Sequence, residues 1–211
     1  MLVAVTPIPS AAQDADSTTL TLDRIFNSDY LSGDFAPPIR WTPDGQSYYS
    51  YDRRPDAKGP DLARVNPVTG EKAVLVKSEQ LTPAGDSVPL RMASFRFSDD
   101  GKKLLIYTNT ARVWRLNTRG DYWVLDVAAG SLRKLGGPTA KPSTLMFAKF
   151  SPQGDRVAYV RENNIYVERL SDGNITALTK DGSRTLINGT FDWVYEEEFD
   201  DRDGFRWSPD G

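Results

Sequence analysis

Short runs of apolar and aromatic residues alternate with polar stretches along most of the chain, and turn-forming residues separate the runs. Residues 104–108 (LLIYT), 122–127 (YWVLDV) and 157–160 (VAYV) are rich in the β-branched and aromatic side chains that favour strands. No apolar stretch approaches the roughly 20 residues that are needed to span a bilayer. The pattern therefore predicts a chain built from short β-strands.

One short pattern occurs four times: an aromatic residue at the end of a short strand, followed by a turn of the Ser/Thr-Pro-Asp-Gly type. The copies are residues 39–45 (IRWTPDG), 95–101 (FRFSDDG), 148–154 (AKFSPQG) and 205–211 (FRWSPDG). Their aromatic anchors are 56, 53 and 57 residues apart, which is the mark of an internal repeat. Because proline presets the first turn position and glycine accepts a positive φ, each copy predicts a hairpin turn.

A second hairpin follows each of the three complete copies. It covers residues 61–76, 122–135 and 164–178, each with a glycine-containing turn. Each repeat thus carries four strands, as the blades of a β-propeller do. A β-sandwich also has short strands, but it does not predict a matched turn at near-constant spacing. The sequence predicts an all-β partial propeller of four-stranded antiparallel blades, with about three blades and the start of a fourth.

The composition limits the chemistry of the chain. Its 211 residues carry a net charge of −3 and include neither cysteine nor histidine. These absences exclude a Ser-His-Asp triad, a Cys-His pair, a His-ligated zinc and disulfides within these residues. The lack of Lys and Arg clusters disfavours nucleic-acid binding. We therefore expect no catalytic residue, no metal and no cofactor in this chain.

The first residues leave two interpretations open. Most are small and apolar, and Ser10-Ala11-Ala12 fits a small-x-small cleavage site. However, no Lys or Arg precedes Arg24, and two prolines interrupt the apolar stretch. Residues 1–19 are expected to be a signal-peptide remnant or a flexible N-terminus, and residues 20–211 to be the N-terminal part of a propeller domain.

The strongest candidate for a binding site is the acidic segment 192–198 (DWVYEEE), where three adjacent carboxylates follow aromatic and β-branched residues. Like charges at 4 Å repel by about 4 kcal/mol at an effective dielectric constant near 20, so the cluster favours a cation. The alternative is a solvated acidic loop, because charge runs usually face water. A calcium loop fits poorly, since its first ligand position falls on Phe199. A protonated amine fits better, because neighbouring carboxylates can accept its three N–H donors.

The acidic segment, followed closely by residues 207–211 (WSPDG), resembles the propeller of the dipeptidyl peptidase IV family, in the prolyl oligopeptidase group of serine peptidases. The likeness continues upstream through residues 150–167 to Trp114-Arg115, and it covers about residues 20–211. The acidic segment is specific to that family, whereas the Ser-Pro-Asp-Gly turns occur in many propellers. Residues 199–204 depart from the family pattern, because they are unusually acidic.

The resemblance implies an eight-bladed parent propeller that caps an α/β-hydrolase domain, and this domain carries Ser, Asp and His and is absent from this chain. It implies that Glu197 and Glu198 hold the α-ammonium of a peptide substrate and that Arg115 contacts a backbone carbonyl. It also implies that Glu196 is structural. The expected function is substrate recognition for a serine-type dipeptidyl peptidase that releases X-Pro or X-Ala dipeptides, and this chain alone should be inactive.

The same resemblance implies the partners and the location. The partners are peptides with a free N-terminus, the hydrolase domain and, for the full-length parent, a second copy in a homodimer. The expected location is periplasmic or secreted, or anchored to a membrane in the parent. The alternative is a non-catalytic propeller that binds peptides or proteins through an acidic patch.

Overall fold

A computed structural model describes residues 20–26 and 39–211, so the predictions for residues 1–19 lie outside the described residues. The described residues belong to two units, which divide between residues 39 and 40. The first unit contains the short helix α1 (Leu22–Phe26). The second unit contains twelve strands and a second helix. Within the described ranges, neither helix is long and apolar enough to cross a membrane.

The first repeat forms a four-stranded antiparallel sheet whose strands follow sequence order. The strands are β1 (Arg40–Trp41), β2 (Tyr48–Asp52), β3 (Asp61–Val65) and β4 (Lys72–Val76). A 3₁₀ turn at Ser78–Leu81 follows, and Gln80 Nε2 donates to the Val127 carbonyl at 3.0 Å, which ties the first repeat to the second. The predicted first blade is confirmed.

The second repeat contains two strands that are longer than predicted. Its strands are β5 (Ser94–Phe97), β6 (Lys103–Val113), β7 (Leu116–Asp126) and β8 (Ser131–Lys134). The added part of β6 and β7 is polar and does not alternate cleanly, so its sequence gave no strand signal. Tyr107 Oη supports the extension, because it lies 2.8 Å from the carbonyl oxygens of both Asn117 and Arg119 and can donate its one proton to either.

The third repeat is joined to the second in one larger antiparallel sheet. Its strands are β9 (Leu145–Phe150), β10 (Arg156–Arg161), β11 (Asn164–Arg169) and β12 (Ile175–Ala177). Arg119 and Gly120 on the extended part of β7 pair with β9. Glycine is needed there, because a Cβ on Gly120 would lie 2.3 Å from the Tyr107 ring. The sequence predicts separate blades, and the unpredicted extension of β7 explains the joined sheet.

The four matched turns form as predicted. In each one the glycine N–H donates to the Ser or Thr carbonyl three residues earlier, at 2.8 to 3.0 Å, and the glycine φ lies between 67° and 96°. Side chains reinforce the second turn, where Ser98 Oγ donates to Asp100 Oδ1 at 2.7 Å. This bond and the Lys102 N–H lower the pKa of Asp100 to about 2.

Two apolar clusters fill the space between successive repeats. The first contains Leu62, Val76, Leu81, Phe95, Leu104, Ile106 and Leu125. The second contains Leu105, Tyr122, Val124, Leu135, Leu145, Val157 and Tyr159. Since each cluster draws side chains from two repeats, neighbouring repeats share a core, as stacked repeats do.

The fourth repeat differs from its prediction. Residues 205–207 are not a strand. Trp207 Nε1 instead donates to the Lys149 carbonyl at 3.2 Å, so the anchor still contacts the third repeat. The turn itself forms, with Gly211 N–H donating to the Ser208 carbonyl at 3.0 Å.

Candidate functional site

The acidic segment forms a short helix, α2 (Trp193–Phe199), which the sequence analysis did not predict. Asp192 caps its N-terminus, because its side chain accepts the Tyr195 N–H at 3.2 Å. Asp200 ends the helix in the left-handed conformation, with φ 58°. The aspartate before the helix is a recognisable start signal, but the aromatic and β-branched residues behind it favour a strand equally well.

The backbone on either side of α2 closes into a short bridge. Thr190 and Asp203 form an isolated antiparallel pair, and Gly204 N–H donates to the Gly189 carbonyl at 3.1 Å. A Cβ on Gly204 would lie 3.0 Å from the Gly189 backbone, so this close approach favours glycine. The helix is therefore held at both of its ends.

The three adjacent glutamates lie in different environments. Glu196 is 7% exposed, and its Oε1 has no hydrogen-bond partner within the described residues. The Glu197 side chain is 14% exposed, and Glu198 is exposed. Because successive residues of an α-helix are about 100° apart, one helix cannot give three neighbours the same surroundings. Glu197 and Glu198 are the two that solvent or a ligand can reach.

Arg115 lies in the two-residue turn of the β6–β7 hairpin, where Val113 pairs with Leu116. Trp114 adopts φ 50° in this turn, and its carbonyl accepts from Arg112 Nε at 2.8 Å. The Arg115 side chain is 71% exposed, and its Nε lies 2.9 Å from Glu197 Oε1. The long hairpin thus brings two of the three predicted site residues together across a large sequence separation.

Of the two accessible glutamates of α2, only Glu197 has a cation partner among the described residues. Arg202 pairs with Asp200. Lys149 Nζ lies 2.6 Å from the Asp203 carboxylate. Glu198, in contrast, has no ion pair within the described residues. No three Asp or Glu side chains in residues 20–26 and 39–211 are arranged to hold a metal ion. Glu198 thus leaves an unpaired negative charge at the surface beside Glu197.

Residues 98–211, more than half of the chain, match the family model described as the dipeptidyl peptidase IV (DPP IV) N-terminal region. The chain belongs to the dipeptidyl peptidase IV family. The resemblance inferred from the acidic segment is confirmed. Within the family match lie the long β6–β7 hairpin, helix α2 and the fourth turn.

Individual proteins show the same relationship. The chain is 34% identical over 199 residues to a protein named "Probable dipeptidyl-aminopeptidase B" of Emericella nidulans, covering 91% of this chain and 21% of that protein. It is 43% identical over 124 residues to dipeptidyl aminopeptidase B of Saccharomyces cerevisiae, covering 58% of this chain and 14% of that protein. The chain therefore spans about a fifth or less of these relatives.

A solved structure supports the fold. The dipeptidyl peptidase 4 of Porphyromonas gingivalis superposes on the chain with a TM-score of 0.64 and 28% sequence identity. The superposition covers 78% of this chain and 22% of that protein. The four-stranded sheet and the larger antiparallel sheet thus have their counterpart in a dipeptidyl peptidase.

Proposed function

We propose that the chain is the substrate-recognition part of a serine-type dipeptidyl peptidase and that Glu197 and Glu198 bind the α-ammonium of its peptide substrate. The observation that carries this proposal is the contact of 2.9 Å between Arg115 Nε and Glu197 Oε1, beside an exposed Glu198. Membership of the dipeptidyl peptidase IV family supports the activity. The local excess of carboxylates supports the choice of a cation.

The two glutamates and the arginine have complementary tasks. A carboxylate has two oxygens, so Glu197 can bind Arg115 through Oε1 and leave Oε2 for an ammonium N–H. Glu198 accepts a second N–H. Arg115 holds Glu197 in place and has further N–H donors for a backbone carbonyl of the bound peptide. Glu196, which is buried, serves the structure of the helix.

An ammonium clamp explains how an exopeptidase can cleave after the second residue of its substrate. If the clamp lies at a fixed distance from the nucleophile, only the second peptide bond reaches the reacting position. This chain has no histidine, so the catalytic Ser, Asp and His belong to the hydrolase domain implied by the family. Release of X-Pro or X-Ala dipeptides, a periplasmic or secreted location and a homodimeric parent complete the proposal.

Titration calorimetry with a short free-amine peptide and its N-acetylated twin tests the clamp. Acetylation removes the charge and at least two charge-assisted hydrogen bonds of about 1.5 to 3 kcal/mol each, so we expect at least about 100-fold weaker binding. Equal affinities would contradict the clamp and favour a non-catalytic peptide-binding module.

The gene sequence after Gly211 tests the peptidase part of the proposal separately. We expect it to encode further blades and a hydrolase domain with Ser, Asp and His in the spacing of an α/β-hydrolase. A gene without that domain would leave peptide binding as the function.

A further inference from the structure

A basic residue occupies the same position in all four repeats, directly before the aromatic anchor. These residues are Arg40, Arg96, Lys149 and Arg206. The first three lie on β1, β5 and β9, the first strand of each repeat. The repeat therefore places cations at equivalent points of neighbouring units.

Two of these cations contact the following repeat in the same way. Arg40 donates to the Phe95 carbonyl and lies over the Phe95 ring, 5.0 Å from its centroid. Lys149 Nζ donates to the Phe205 carbonyl at 2.7 Å and lies 3.8 Å from the centroid of the Phe205 ring. Since each cation reaches the next repeat, the first strands of successive repeats converge on one side of the molecule.

Arg96 lacks the equivalent contact. The position that holds Phe95 and Phe205 in the neighbouring repeats is Ala148 in the repeat that follows Arg96. Here β9 carries a β-bulge, and Phe147, with φ 54°, precedes Ala148. The exposed Arg96 side chain makes no ion pair, hydrogen bond or ring contact with the described residues.

The cations share a cavity of about 260 Å³. Arg40, Arg96 and Lys149 line it, and Asp203 is the one acidic side chain among its described lining residues. Asp203 is already bound by Lys149 at 2.6 Å and by Arg206 at 3.3 Å. Burial lowers the pKa of Lys149. The positive charges of Arg206 and Arg96 lower this pKa further, whereas Asp203 raises it. Three basic side chains and one carboxylate therefore line the cavity, and Lys149 and Arg206 already bind that carboxylate.

We propose that Arg96, flanked by Arg40 and Lys149, binds an oxyanion in this cavity, either a carboxylate or a phosphate. A guanidinium presents paired N–H donors that match both groups. A volume of 260 Å³ equals that of about nine water molecules, which suffices for either anion with a small substituent. The site is separate from the glutamates of α2 and does not depend on the ammonium clamp.

Titration calorimetry of the protein at low ionic strength, with inorganic phosphate and N-acetylglycine as separate probes, tests this site. N-acetylglycine has a carboxylate but no ammonium, so the α2 glutamates cannot bind it as a clamp would. We expect saturable binding of at least one probe, and the tighter probe identifies the anion class. Arg96→Gln should weaken binding by about tenfold or more, whereas Arg64→Gln, which removes an exposed arginine on β3, should leave it unchanged.

A second variant tests the site without changing the charge of any residue. Ala148→Phe restores the aromatic residue that the neighbouring repeats have, so it should cover Arg96 and weaken binding as well. Ala148 packs against the second apolar cluster, so circular dichroism must first show that the variant is folded; if it is not, Arg96→Gln decides. The proposal is overturned if neither probe binds, if Arg96→Gln binds like the unaltered chain, or if Arg64→Gln weakens binding equally.

Discussion

At the scale of single residues, a charged side chain is stabilised where an ionic partner binds it, and its burial costs free energy where no partner does. Glu197 has Arg115 at 2.9 Å, whereas Glu196 is buried with an oxygen unpaired within the described residues. Burial of an unpaired polar oxygen costs about 1 to 3 kcal/mol by mutational measurements. Chemically identical neighbours thus lie in different environments because helix α2 turns them in different directions.

Asp61 shows the stabilising case. Its side chain is 2% exposed, Arg54 Nε lies 2.7 Å from Oδ2, and the Ser78 N–H donates to Oδ1 at 2.8 Å. The Arg54 hydrogen bond is the main reason why the pKa of Asp61 lies below its usual 3.8. A carboxyl whose folded pKa is depressed stabilises the fold above its unfolded pKa, and this contribution is lost as the pH falls through the folded pKa.

We therefore expect the free energy of unfolding to fall below about pH 4, partly through Asp61. Asp61→Asn should reduce this pH dependence, and Arg54→Gln should reduce it in the same range because it removes the cause of the shift. Urea unfolding followed by circular dichroism between pH 2 and pH 7 measures the slope. An unchanged slope in Asp61→Asn would show that the pairing with Arg54 does not control this titration.

At the scale of elements, the candidate site depends on two short pieces, the turn of the β6–β7 hairpin and helix α2. A helix of seven residues is too short to be stable by propensity alone, so its cap and its flanking bridge matter. The cap is Asp192, which accepts the Tyr195 N–H at 3.2 Å.

Asp192→Ala should lower the free energy of unfolding by about 1 kcal/mol, the usual cost of losing a helix cap. If the cap orients the glutamates, the variant should also weaken binding of a free-amine peptide more than binding of its acetylated twin. Asp201→Ala removes an exposed aspartate beside the helix and serves as the control. Equal effects of the two substitutions on amine binding would mean that only net charge matters.

Some elements could be predicted from the sequence and others could not. The turns at Gly45, Gly101 and Gly154 could be predicted because their chemistry is local: a hydroxyl, a proline or acid, and a glycine at positive φ. The extension of β6 and β7 could not, since it is held by long-range pairing of polar residues rather than by an apolar pattern. Family resemblance supplied Arg115 and the glutamates, but the helix that separates Glu196 from its neighbours appears only in three dimensions.

At the scale of the whole molecule, stability is shared between repeats. Leu62 on β3 is fully buried and belongs to the cluster that also holds Leu104 and Ile106 of the second repeat. The cluster around Tyr122 and Tyr159 joins the second repeat to the third. Removal of one core side chain should thus destabilise the adjacent repeat more than the distant one.

Leu62→Ala should lower the free energy of unfolding by about 2 to 5 kcal/mol, because it leaves a cavity in a closed core. Hydrogen exchange should show reduced protection in β1 to β8 and a smaller change in β10 and β11. A uniform loss of protection would indicate a single cooperative unit instead of repeats that couple to their neighbours.

The most direct test of the central claim is the affinity ratio between a free-amine peptide and its N-acetylated twin in a Glu197→Gln/Glu198→Gln variant. Glu196→Gln is the matched control, since it removes a carboxylate from the same helix. We predict that the double variant loses the preference for the free amine, while Glu196→Gln keeps it. A double variant that still prefers the free-amine peptide would contradict the assignment of Glu197 and Glu198 as the ammonium clamp.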